Sequence, residues 1–188
     1  MKKFLRFGAA SAVVAASLGM SSVAQAQDTA TADAFAEILT ALQLELDAGS
    51  KLDFGSMVVT GAGTVSLDAD TGALNCTAAG IVCSGTTETA TFNVTAGSAL
   101  KDVTITFDTP AVTLLRSGGV IGTAADELEL TNFNSDAAFI TDPMGDYYEV
   151  TLGATGLATF EVGGDLTFDG TELAGVYQGS FAVSVEYS

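Results

Sequence analysis

Hydrophobic and polar residues alternate through the last dozen positions of the chain. Tyr177, Phe181, Val183, Val185 and Tyr187 share one parity, with Gly179 as the gap, and Gln178, Ser180, Ser184 and Glu186 share the other. Successive side chains of a strand point to opposite faces, so the pattern predicts a half-buried β-strand over residues 176–187. Shorter runs of alternating or β-branched residues predict further strands at 52–59, 64–67, 89–95, 103–107, 111–115, 128–133, 147–152, 157–162 and 166–168. Clusters of Asp, Gly and Pro at 68–72, 142–146 and 163–165 separate them as turns. Many short strands at this spacing predict an all-β, two-sheet sandwich.

One stretch fits two periods. Every even position from Ala30 through Ala32, Ala34, Ala36, Ile38, Thr40, Leu42 and Leu44 to Leu46 is apolar or threonine, the period of a strand. Phe35, Ile38, Leu39, Leu42 and Leu46 would equally line one face of a helix, and Ala, Glu and Leu favour one. The strand is preferred because the even-position rule holds across the whole window. Residues 27–47 are then either an extension or a first strand.

Residues 1–26 read as an export signal. Lys2, Lys3 and Arg6 precede an apolar stretch, and Val23-Ala24-Gln25-Ala26 ends in the small-x-small pattern of a cleavage site. The apolar run is shorter than the ~20 residues needed to span a bilayer, and no second run follows, so no membrane span is expected after processing. Removal of the signal from the 188 residues leaves one domain over 27–188. Its only basic residues are Lys51, Lys101 and Arg116, against 23 acidic ones, a charge of −20. Such a surface repels nucleic acid and anionic lipid. The expected location is the periplasm, cell surface or extracellular space, where thiols oxidise. Cys76 and Cys83, the two cysteines, close a short loop with Gly80 available for its turn, and a disulfide between them is expected.

The chain has no histidine. That removes Ser-His-Asp and Cys-His mechanisms and leaves a zinc site without its usual partner for the cysteines. Neither a Walker-type phosphate loop nor a dinucleotide fingerprint occurs. Paired carboxylates could serve a glycosidase, but most acidic residues stand in turns or on polar strand faces and read as a solvated surface. Asp68-Ala-Asp-Thr-Gly72 resembles the start of a calcium loop and lacks its later ligands, so it reads as a turn. No catalytic residue, metal or cofactor is expected.

Four segments carry a resemblance. They are Ala30-Thr-Ala-Asp-Ala-Phe35, Leu52-Asp-Phe-Gly55, the Cys76 to Cys83 region leading into Thr91-Phe-Asn-Val-Thr-Ala-Gly97, and the run from Ala174 to Tyr187. In order and spacing the chain resembles the exported bacterial family called domain of unknown function 4402, whose members resemble pilin and spore-coat U-like domains. The C-terminus is also similar to subunits assembled by the chaperone–usher route, with Gly175 fourteenth from the end and Tyr187 penultimate. The resemblance implies an immunoglobulin-like sandwich lacking one strand, which a chaperone and then the N-terminal extension of another subunit supply. Gly175, Tyr177, Phe181, Val183, Val185 and Tyr187 would line the acceptor edge, and Ala30, Ala32, Ala34, Ala36 and Ile38 would form the donor strand. The implied partners are other copies or related subunits, a periplasmic chaperone and an outer-membrane usher. The function expected is that of a structural subunit of a surface fibre or pilus-like assembly. The alternative is a self-contained sandwich module that binds a glycan or protein partner.

Overall fold

The structure, a computed structural model, describes residues 29–188. The expected export signal therefore lies outside the described residues. The chain divides into two units, Met1–Glu37 and Ile38–Ser188. In the first, residues 29–37 form no strand or helix and are exposed at every position.

The second unit is all-β and antiparallel. Its strands are β1 (Gln43–Leu46), β2 (Ser56–Val59), β3 (Gly63–Leu67), β4 (Leu74–Asn75), β5 (Ile81–Ser84), β6 (Ala90–Ala96) and β7 (Asp102–Phe107), then β8 (Ala111–Arg116), β9 (Glu127–Ser135), β10 (Ala138–Ile140), β11 (Tyr147–Thr151), β12 (Ala158–Phe168), β13 (Tyr177–Gln178) and β14 (Val183–Tyr187). A 3₁₀ turn, Ala124–Asp126, precedes β9. No helix among the described residues is long and apolar enough to cross a membrane.

Strand β12 organises the molecule. Its even residues Phe160, Val162, Leu166 and Phe168 are all buried, as period two requires of one face. One edge of β12 pairs with β6 along its first half and with β3 along its second, while β9 takes the other edge. The large sheet so formed runs β1-β6-β12-β9-β8-β13, with β3 and β4 attached. Two separate pieces cover its inner face. The four-stranded sheet β10-β11-β7-β14 packs Val103 and Ile105 against Val94, Phe160 and Val162. The β2–β5 ribbon packs Ile81 and Met57 against Val65, Leu67, Leu166 and Phe168. The arrangement is sandwich-like, with a second layer in two parts.

Three expectations need correction. Residues 157–162 and 166–168 are one strand, because Gly163 does not turn the chain; a Cβ there would lie 2.1 Å from the Leu67 carbonyl oxygen, so glycine is what lets β3 approach. Residues 176–187 are two strands in different sheets, β13 pairing with β8 and β14 with β7. The period-two stretch from residue 30 becomes a strand only at β1, because only there does a neighbour, β6, supply hydrogen bonds. Strands β4, β5 and β10 carried no pattern long enough to be read.

Candidate functional site: the C-terminal border and the adjoining groove

The C-terminal stretch crosses from one covering element to another, and each residue singled out in it has a definite place. Gly175 lies against Arg116, whose Cγ would stand 2.7 Å from an added Cβ. The Tyr177 hydroxyl lies 2.7 Å from the Leu173 carbonyl and 3.0 Å from that of Ala125, and burial pushes its pKa up. Gly179 breaks the alternation for a steric reason: a Cβ would come within 2.6 Å of Leu114 Cδ2 and 2.9 Å of the Thr113 carbonyl oxygen. Phe181 lies between Phe92 and Phe133, edge-on to the first and tilted against the second, with ring centroids 6.2 and 5.0 Å away, and packs against both halves of the core. Val183, Val185 and Tyr187 are half-buried against the core beneath the four-stranded sheet, while Ser184 and Glu186 face solvent. The alternation therefore names the inward face of residues 181–187 correctly. β14 is an edge strand, and among the described residues no strand pairs with its outer border.

Tyr187 does something the alternation does not reveal. Its hydroxyl donates to the Thr40 carbonyl at 2.6 Å and accepts from the Ser98 N–H at 2.7 Å. The Thr40 N–H in turn donates to Ser98 Oγ at 2.8 Å. Both backbone groups of Thr40 are thus held by side chains rather than by a strand. This clasp anchors the chain shortly after the exposed residues 29–38, and no local sequence signal marks it, since its partners are 58 and 147 residues away from Thr40.

Ala30, Ala32, Ala34, Ala36 and Ile38 belong to no sheet and are exposed. So is the largest apolar residue among them, Phe35, at 93%, with Ile38 at 96%.

Beside β13 lies a groove of about 1130 Å³. One wall is β2 with the loop before it, residues 50–59, and the other is residues 172–181. Its floor is the inner face of the large sheet, including Leu114, Leu128, Leu130, Leu166 and Phe168. Most of these are less than 10% exposed. β2 borders it and β5 does not, which places the groove along the edge of β2 that no strand pairs with among the described residues.

Two ties hold the walls. The Cys76–Cys83 disulfide joins β5 to the end of β4, and hence the ribbon to the large sheet. On the opposite wall Arg116 forms an ion pair with Asp126 at 2.6 Å. The Asp126 carboxylate also accepts from the Val120 N–H at 2.9 Å, and these two contacts, the backbone one first, hold its pKa below the ordinary value. On the rim, Lys51 pairs with Asp53. Away from the groove, Asp68 accepts hydrogen bonds from the Thr71 N–H and hydroxyl and closes a turn. No group of carboxylates and cysteines among the described residues is arranged to hold a metal ion.

These features define an all-β antiparallel domain, braced by a disulfide, whose covering layer is interrupted. The chain belongs to the family named domain of unknown function 4402, whose profile matches residues 44–187. The exposed residues 29–38 lie outside that match. No curated protein and no solved structure matches the chain.

Proposed function

We propose that this protein is an exported structural subunit of a surface fibre or pilus-like assembly, joined to its neighbours by addition of a β-strand. The observation that carries this reading is the pairing of an exposed, period-two N-terminal segment with a domain that leaves strand edges open. Strand addition needs both parts: main-chain groups to set register and alternate apolar side chains to fill pockets. The chain's resemblance to pilin-like, immunoglobulin-like subunits points the same way. The acidic residues with resolved partners serve turns, as Asp68 does, ion pairs, as Asp126 does, or hydrogen bonds between neighbouring strands, as Asp165 does with Asn132 and Asp102 with Thr151.

Export fits the disulfide, which forms in oxidising compartments, and fits the signal-like first 26 residues. The partners are then copies of this chain or related subunits, with a chaperone and usher as the assembly route. The test is sedimentation and electron microscopy of the exported protein over a hundredfold range of concentration. Polymers that vanish on deletion of residues 30–38, with the monomer still folded by circular dichroism, are expected. A concentration-independent monomer for the intact chain overturns the reading.

A further inference from the structure

We infer that the strand-accepting surface is the groove between β2 and residues 172–181, rather than the outer border of β14, and that its occupant is residues 30–38 of a second copy of this chain. The inference rests on the subunit reading and adds the place of contact. Four observations lead to it.

The layer covering the large sheet is interrupted here: the four-stranded sheet lies over Phe160 and Val162 and the ribbon over Leu166 and Phe168, and the groove opens beside the ribbon over Leu114, Leu128 and Leu130. The groove follows the break. Its β2 wall presents a strand edge without a partner among the described residues, which an extended chain can satisfy by main-chain hydrogen bonds. The floor is built of Leu and Phe, so alternate apolar side chains of that strand would meet an apolar surface. The border of β14 offers hydrogen bonds but no such floor, since Val183, Val185 and Tyr187 already face their own core.

The occupant follows from what the chain leaves uncovered. Residues 30–38 extend to roughly 30 Å at ~3.3 Å per residue, and they match in number the residues of the 50–59 wall to within one. Small alanines on the even face need little room above a floor that is already largely covered, with Ile38 as the bulky member. In a single chain these residues are exposed and in no sheet, so their apolar side chains remain to be covered by another copy. Between residues 27 and 50 every charged residue is acidic, and the rim carries Asp53 and Glu172 beside Lys51. Docking therefore works against charge and strengthens with added salt.

Full chains carrying Ile38→benzoylphenylalanine, on the even face that would meet the floor, irradiated and mapped by mass spectrometry, provide the test. Intermolecular cross-links to β2 or residues 172–181 are expected, reduced at least tenfold by Ser180→Trp on the rim and increased between 50 and 500 mM salt. Cross-links confined to Ser184 and Glu186, or polymers that form without groove cross-links, overturn the groove while leaving strand addition standing. A synthetic peptide of residues 29–40 with the same photo-reactive residue, added to intact chains, separates the other failure. Its cross-linking to the groove of chains that never polymerise supports the site and sinks the fibre; cross-linking nowhere in either format overturns the site.

Discussion

The two halves of the long sheet face present similar residues to very different covers. Over the first half, four hydrogen-bonded strands seal Val94, Val103, Phe160 and Val162 to 1% exposure or less. Over the second, a two-stranded ribbon, a disulfide and an irregular stretch do the same work, and a groove of about 1130 Å³ remains. Burial of Leu166 and Phe168 is nearly as complete, at 4% and 5%, yet it depends on elements that are not paired to one another. The difference separates apolar burial from sheet completion: a face can be dry while the layer over it is still short of a strand.

Phe181 is where the halves meet, so its loss tests the comparison most severely. Truncation to Ala removes contacts with Phe92, Phe133 and both core clusters and is expected to cost about 3 kcal/mol, in line with other buried Phe→Ala changes. Urea unfolding checks the value. A loss below 1 kcal/mol would mean that the halves do not lean on each other through this ring.

Removing the disulfide should be nearly as large but one-sided. Cys76→Ser with Cys83→Ser is expected to cost about 2–3 kcal/mol from the entropy of the released loop. Because the bond ties the ribbon to β4, hydrogen exchange should quicken in β2 and β5 and stay unchanged in β7 and β14. Equal acceleration in both halves would contradict the division.

The first half was the more legible in sequence. β6, β7 and β14 carry alternation that their burial obeys, and the inward parity of Phe181, Val183, Val185 and Tyr187 was readable because each turns toward the apolar core. The second half was read less well. β5 is a run of four residues at the end of the cysteine loop, and its strand character depends on pairing with β2, where Val58 sits opposite Val82, 24 residues later. The turn expected at residues 163–165 failed because glycine also serves close approach, and only the position of Leu67 distinguishes the two uses. The single strand expected over 176–187 failed at Gly179, where the chain leaves β8 before joining β7. The disulfide was legible from the two cysteines, their short spacing and the expected export signal ahead of them. The groove was not, because it is defined by the absence, among the described residues, of a strand beside the outer edge of β2.

Smaller effects should fall at the margins of the halves. Tyr187→Phe keeps the ring and removes the hydroxyl that holds Thr40 and Ser98, at a net cost of about 1 kcal/mol per hydrogen bond at most. The global unfolding midpoint should move little, while amide exchange at residues 40–42 rises at least tenfold. Exchange unchanged at these positions would show that Ser98 Oγ alone holds the chain there.

The smallest effect concerns acid. Asp126 is bound by the Val120 N–H and the Arg116 guanidinium, so its pKa in the folded protein lies below the ordinary 3.8. A carboxylate depressed in this way contributes stability at pH values above the ordinary one and loses that contribution as pH falls through its folded value. Asp126→Asn removes the titrating group. The variant should be less stable than the parent at pH 7, and the gap between them should narrow steadily below about pH 4 as the parent's carboxylate takes up a proton. Thermal unfolding of the two proteins from pH 7 to pH 2 measures it. Since Arg116 also packs against Gly175 in the groove wall, the loosening should register at residues 172–178 before it reaches the four-stranded sheet. A gap that stays constant with pH would show that Asp126 stabilises that wall by shape and neutral hydrogen bonds, with no share from its charge.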